Sequence, residues 1–400
     1  MPLRPETFAL TALLSMLTAM NPLSIDMYLP SLPILTQELG ATPAEGQLTL
    51  SIFLAGFAVG QIFYGPLSDR YGRKPLLLAG LVIFAAASVI CASVTSIEGL
   101  IAARFLQAVG GSGPVVLARS MVRDFYSGPR AGQELARMGV IMGVVPAGAP
   151  LLGGLLENLF GWRASFILIF VIACLLLGVV WAKLPETVRE KRREPITLLS
   201  IFNGYRFLLL SAAYRGYVAL TSIAFAGLFA YISASSFVLQ GIYGLDEFHF
   251  ALMFAMAVLG FVVGGFIGSK VVRKIGIDGA IRLGSWFLAA GGILMLLAVI
   301  LGPGHPLEVT LPITIYLVGI GLVMPQALAG AMQPFPDRAG SASSLSGLLQ
   351  MTTASIAGVG IGHVIGETVL PVALAIAGLG LLALVIERVS RRARADALII

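Results

Sequence analysis

Long apolar runs of about 20 residues, separated by short polar islands, fill this chain from end to end. A helix of that length spans a hydrocarbon core roughly 30 Å thick. The runs show none of the ten-residue alternation of a barrel wall, so helices are predicted. The runs fall at 7–30, 46–66, 75–95, 98–120, 132–157, 163–183, 214–238, 248–270, 279–301, 310–332, 341–363 and 369–388. The predicted fold class is all-α integral membrane, with twelve transmembrane helices.

Composition agrees. Of 400 residues 58% are hydrophobic and 12% charged, and the mean hydropathy is +0.94. That leaves too little polar surface to cover a soluble globule. The net charge of +6 is split among many loops, which makes it a topology signal and leaves a nucleic-acid partner unsupported. With both termini cytoplasmic, Arg4, the predicted 65–74 loop, Arg123, Arg130, Arg189–Arg193, Lys270–Lys274, Arg338 and Arg388–Arg394 face the inside, as basic residues do. Only Arg163 falls at an outer edge and only Arg104 well inside a span. Glu38, Glu45, Asp246, Glu247, Glu308 and Glu367 fall outside. The apolar stretch after Arg4 lacks a small-residue cleavage site, and Asn21–Pro30 continue it, so it reads as a retained span. Cys91 and Cys174 both sit in apolar runs and are expected to be core thiols, with no disulfide or metal pattern.

The predicted organisation is an N-terminal six-helix bundle (1–184), a charged cytoplasmic linker (185–213) and a C-terminal six-helix bundle (214–400). The halves carry a trace of duplication. Gly72 and Gly276 stand 204 residues apart, as do Gly80 and Gly284, and Gly60 and Gly264. Arg273 replaces Asp69 in the second copy, so the two halves are not equivalent. A repeat of this kind implies a central cavity that opens alternately to each side.

Residues Gly65 to Lys74 match Gly-x-Leu-x-Asp-Arg-x-Gly-Arg-Lys, and on this motif the chain resembles the major facilitator superfamily. Ser24-Ile25-Asp26-Met27-Tyr28-Leu29-Pro30 is similar to the mark of its bicyclomycin and chloramphenicol resistance (Bcr/CflA) drug:proton antiporters. Arg104 to Gly110 resembles the fourth-span Arg-x-x-Gln-Gly element, with Ala108 in the glycine place. Gly143 to Gly154 resembles the fifth-span antiporter element, with Ala149-Pro150 for Gly-Pro. The resemblance implies proton-coupled export of small lipophilic drugs by alternating access, from a multi-pass protein of the bacterial inner membrane. A proton-coupled symporter, or an exporter of an endogenous metabolite such as a sugar or amino acid, shares the fold.

Asp26, an acid inside the first span, is the expected proton carrier; the alternative is an early helix end that leaves it in the outer interface. Arg104 lies at comparable depth in the fourth span and is expected to exchange with it, or to form a permanent ion pair. Gly65, Asp69, Arg70, Gly72, Arg73, Lys74 and Asp124 form the expected cytoplasmic gate, where the resemblance implies a latch between halves and where Arg123 or Arg130 offers Asp124 a partner; these charges can also serve topology alone. A helix amino end near Gly340 would stabilise Asp69. Asn21, Tyr28, Gln107, Tyr231, Ser235, Gln326 and Gln350 are expected to line the substrate cavity, with Ser236, Gln240, Trp286 and Tyr316 as further polar or aromatic lining. Pro146, Gly148, Pro150, Gly153 and Gly154 read as a hinge or seal in the fifth span, or as tight packing. His363 reads as structural. No Gly-x-x-x-x-Gly-Lys-Ser/Thr loop exists for ATP, no metal or cofactor set is present, and no paired acids suggest an enzyme. The expected partners are a drug-like small molecule, protons and the lipid bilayer, and nothing requires more than a monomer.

Overall fold

The computed structural model describes residues 7–126, 129–188, 198–302, 304–335, 338–364 and 368–397, all helix or short connection. Helices α1 (Phe8–Asp26), α2 (Leu32–Glu38), α3 (Pro43–Tyr71), α4 (Arg73–Ser93), α5 (Ile97–Phe125), α6 (Pro129–Phe160) and α7 (Arg163–Lys183) come first. They are followed by α8 (Leu198–Leu210), α9 (Ala212–Ser236), α10 (Glu247–Leu301), α11 (Leu307–Met332), α12 (Ala339–Val364) and α13 (Leu370–Ala397). The short α2 and α8 are extras. The others make twelve long helices among the described residues, because α10, at 55 residues, contains two joined at Gly276, and ten of the described helices, α10 counted once, are long and apolar enough to cross a membrane.

The joint shows why glycine is needed. Gly276 has φ 72° and ψ 178°, and Gly72, between α3 and α4, has φ 108° and ψ 153°. Side chains are strained in that left-handed region. The same reversal therefore occurs in both halves at the separation read from the sequence. The repeat extends to packing. A Cβ on Gly80 would stand 2.9 Å from the Gly110 carbonyl oxygen, and one on Gly284 would stand 2.9 Å from that of Gly319. Gly60 closes likewise on Ser112, and Gly264 on the Val318 carbonyl. These bare backbones let the second and third spans of each half lie directly on the fourth.

Three expectations change. Residues 65–71 are not a loop: α3 runs through them to Tyr71, and Gly72 alone reverses the chain. Polar residues mark where a helix leaves lipid, which need not be where it ends. The expected linker holds the helix α8, although residues 189–197, including the Arg189–Arg193 cluster, lie outside the described residues. Arg4 and Glu367 lie outside them too. Cys91 is buried as expected, but Cys174 is exposed on the outside of α7.

The described chain divides into two compact units, one of residues Met1–Thr42 with Ile52–Ile196 and the other of Pro43–Ser51 with Thr197–Ile400. In the first, Trp162 Nε1 donates to Glu38 (2.8 Å) and Arg163 pairs with the same carboxylate (3.4 Å), tying α7 to α2. In the second, α9 passes at Phe237–Ile242 into a π-turn, a wide coil common near functional sites.

Candidate functional site

The site is built where α1 unwinds in the first unit. Pro30 lacks the N–H that would have bonded the Asp26 carbonyl, and Pro33 lacks the one for Leu29. The helix accordingly stops at Asp26, and a 3-10 turn follows at Leu29–Ser31. Pro22, inside α1, does not break it. The early end does not bring Asp26 to the surface: its side chain is 3% exposed. Oδ1 has no hydrogen-bond partner, and no ion pair reaches this carboxyl group among the described residues.

Arg104, on α5, is wholly buried. Its Nη1 donates to Gln107 Oε1 (2.6 Å), and Gln107 Nε2 donates to Ser88 Oγ (2.8 Å), whose hydroxyl donates to the Phe84 carbonyl (2.7 Å). The guanidinium lies over the rings of Phe53 (4.2 Å), Tyr28 (4.6 Å) and Phe166 (5.8 Å). Such stacking holds a cation without neutralising it. Nε and Nη2 have no acceptor. No salt bridge joins Arg104 to Asp26 among the described residues, so the permanent ion pair is absent. The two are linked through the backbone instead: Asp26 leads through Met27 to Tyr28, whose ring supports Arg104. Gly153 of α6 packs directly on the Met27 carbonyl between them.

At the Gly72 end of the same unit Arg73 is the hub. It pairs with Asp69 (2.5 Å) and Asp124 (3.2 Å), and it also donates to Ser68. Thr187 Oγ1 donates to the same Asp124 oxygen (2.6 Å). Asp124 is thus held by Arg73, and not by Arg123; the Arg130 side chain lies outside the described residues. Glu186, just past α7, accepts from the backbone N–H groups of Arg73 (2.9 Å) and Lys74 (3.2 Å), and Lys74 Nζ donates to the Trp181 carbonyl (2.9 Å). A Cβ on Gly72 would meet Glu186, a second reason for glycine there. Arg70 lies over Tyr71 (5.5 Å), and Gly65 sits within α3 with nothing against it.

Residues 14–359 match the sequence profile of the Major Facilitator Superfamily. The chain belongs to the major facilitator superfamily. It is 30% identical over 355 residues to the bicyclomycin resistance protein homolog of Haemophilus influenzae, covering 88% of each chain. It is 31% identical over 346 residues to the chloramphenicol resistance protein of Pseudomonas aeruginosa, covering 84% of this chain and 80% of that one. A crystal structure of peptide transporter POT in complex with sulfate superposes with a TM-score of 0.80 at 15% identity, over 99% of this chain and 97% of that one. The last likeness concerns the fold alone. This is a major facilitator transporter and not an enzyme, and its relatives are named for resistance to drugs.

The other expected residues of this major facilitator chain fall in varied places. Tyr28, Gln107, Tyr231 and Ser235 are buried, and Asn21, Gln326 and Gln350 are half-buried. Gln107 engages both ends of its amide with Arg104 and Ser88, so it positions the guanidinium. Tyr231 stacks on Phe254 (5.7 Å) with its hydroxyl unpartnered, and Ser235 donates to the Ile232 carbonyl (2.8 Å) just before the π-turn. Gln240 Nε2 donates to Ser236 Oγ (2.7 Å) across that turn, and the Tyr316 ring packs on Gly227. Trp286, expected among the lining, is instead half-exposed on the outside of α10. Pro146 and Pro150 leave α6 a single helix, Gly148 has open space beside it, and the Gly154 carbonyl accepts from Asn158 Nδ2 (3.1 Å). His363 Nδ1 meets the Val359 carbonyl (2.8 Å), the structural role expected.

Two charged clusters escaped the sequence reading. Glu134, buried on α6, accepts from Thr11 Oγ1 of α1 (2.7 Å) and pairs with Arg137 (2.6 Å). It lies inside the predicted span 132–157, the signal that singled out Asp26. In the second unit Arg394 of α13 is wholly buried against Asp278 (3.0 Å) and Glu387 (3.5 Å), with the Tyr217 ring 5.4 Å away. Arg391 grips Glu387 with two bonds (2.9 and 2.8 Å). The sequence pattern placed Arg388–Arg394 only among the basic residues that face the inside.

Proposed function

We propose that this transporter exports small lipophilic, drug-like molecules in exchange for protons, working as a monomer in the bacterial inner membrane with both termini in the cytoplasm. The observation that carries the reading is Asp26, buried and without a cation partner. An acid inside a membrane protein is costly and marks function. One that is tied to no fixed cation is free to take up and release a proton as the carrier changes face. Arg104, held by Gln107 and three rings, supplies a fixed positive field in the same unit.

Drug enters from the cytoplasm and disfavours protonated Asp26; the carrier turns outward, a proton binds and drug leaves. One proton moving down a potential of 100 mV supplies ~2.3 kcal/mol. The Arg73 hub, with Gly65, Asp69, Arg70, Gly72, Lys74 and Asp124, serves as the cytoplasmic gate, and the stretch from Pro146 to Gly154 flexes or seals against α1. Asn21, Tyr231, Ser235, Gln326 and Gln350 contact the drug. The names of the bicyclomycin and chloramphenicol relatives support this substrate class. Asp26→Asn, tested in proteoliposomes with an imposed pH gradient, abolishes gradient-driven efflux while the protein remains inserted and monodisperse. Retained coupling in that variant would remove Asp26 from the mechanism. A symporter of an endogenous metabolite would show the opposite sign of proton movement on substrate addition.

A further inference from the structure

The outer faces of α10 and α13 carry a cluster that the transport reading does not use. The two helices are tightly packed: a Cβ on Gly292 would stand 2.7 Å from Ala377 Cα, and Gly380 closes on the Leu288 carbonyl. Toward the Gly276 end their outward faces change character. On α13, Val385 (54% exposed) and Val389 (79% exposed) alternate with exposed Arg388 and Arg392 on one helical stripe. On α10, exposed Arg282 lies one turn from Trp286, which is 50% exposed. The Arg388 guanidinium sits over the Trp286 ring at 5.6 Å, joining the stripes.

None of these three arginines has an ion pair among the described residues. The acids nearby face the other way, Asp278 and Glu387 being committed to buried Arg394 and to Arg391. The patch therefore holds three uncompensated cations and an interfacial tryptophan directly beside lipid-facing valines. The first unit has no counterpart, since the repeat places Leu78 and Val82 where Arg282 and Trp286 stand.

We propose that Arg282, Arg388 and Arg392 around Trp286 form a binding site for the phosphate headgroup of an anionic phospholipid, whose acyl chain lies along Val385 and Val389. Guanidinium groups bind phosphate through paired donors, tryptophan prefers the headgroup level, and basic clusters at helix ends select anionic lipid. Exposed valines beside the cations fit a lipid and not a free anion. The site depends on neither proton coupling nor drug export.

The test uses the full-length protein in mixed micelles of equimolar phosphatidylglycerol and phosphatidylcholine, with bound lipid counted by native mass spectrometry. Phosphatidylglycerol adducts are expected to exceed phosphatidylcholine adducts by about tenfold. The preference falls to near parity in Arg388→Gln/Arg392→Gln. It survives in Lys183→Gln/Arg206→Gln, which removes two charges elsewhere, and largely survives in Arg388→Lys/Arg392→Lys. Equal loss in the control pair, or an unchanged preference in the glutamine pair, overturns the proposal. Should the glutamine pair fold poorly, the wild-type protein decides: a preference insensitive to ionic strength overturns it.

Discussion

Replacing Gly153 with alanine tests the contact on which the candidate site is built. An added Cβ would stand 2.7 Å from the Met27 carbonyl carbon and nearer still to its oxygen. Ordinary carbon contacts lie at roughly 3.5–4 Å, so α6 or the Asp26–Tyr28 segment must retreat by on the order of 1 Å. The obstacle is backbone, and no side-chain rotation relieves it. Overpacking of this kind costs about 1–3 kcal/mol. The same helix supplies its own control: Gly148 has nothing within 4 Å of an added Cβ, and there alanine gains about 0.5–1 kcal/mol from reduced backbone freedom. The two variants should thus move in opposite directions and differ by about 1.5–4 kcal/mol. Thermal melting of purified protein in one detergent is the assay, with Gly153→Ala below wild type and Gly148→Ala at or above it. A Gly153→Ala protein that melts with Gly148→Ala would refute the claim that α6 clamps the unwound end of α1.

Other outcomes follow from single contacts. Glu186→Gln weakens the acceptors at the start of α4 and should cost about 1 kcal/mol in the same melting assay, without altering insertion. Arg394→Gln leaves the Asp278 carboxylate without its cation, while Glu387 keeps Arg391, and should cost about 3 kcal/mol; adding Asp278→Asn should cost much less than its single effect, and strict additivity would show that the pair is not coupled. Asp246 caps α10 outside the span, and the backbone N–H of His249, with its ring, holds the carboxyl below the usual carboxylate range. A lowered folded-state value means that the cap is fully effective above the unfolded-state value and is lost as pH falls through the folded one. The protection of the His249 amide against hydrogen exchange, relative to its unstructured rate at each pH, should fall on acidification, and Asp246→Asn should flatten that dependence.

What could be read from the sequence was whatever a one-dimensional pattern encodes. Apolar run length located the spans, and the 204-residue spacing of Gly72 and Gly276 marked two turns that share a left-handed backbone. Asp26 and Arg104 stood out because charge inside an apolar run is rare. Other features depend on which face a residue presents, and a run length carries no such information. Cys174 and Trp286 turned outward for that reason, and Gln107 turned toward Arg104. The Thr11–Glu134 bond spans 123 positions, and Arg394 reaches Asp278 from another helix; neither pairing leaves a local trace. The 65–71 segment misled because polarity was equated with a loop.

The ends of α7 and α13 meet the start of the third span of their own half with opposite electrical sense. In the first unit an acid, Glu186, accepts from the backbone N–H groups that open the helix at Arg73 and Lys74; in the second a base, Arg394, pairs with the Asp278 carboxylate. During membrane insertion, the closing helix of one duplicate that strayed onto its sibling would set like beside like, base against base or acid against acid. Opposite charge at corresponding joints thus works against seating the closing helix of one half on the other.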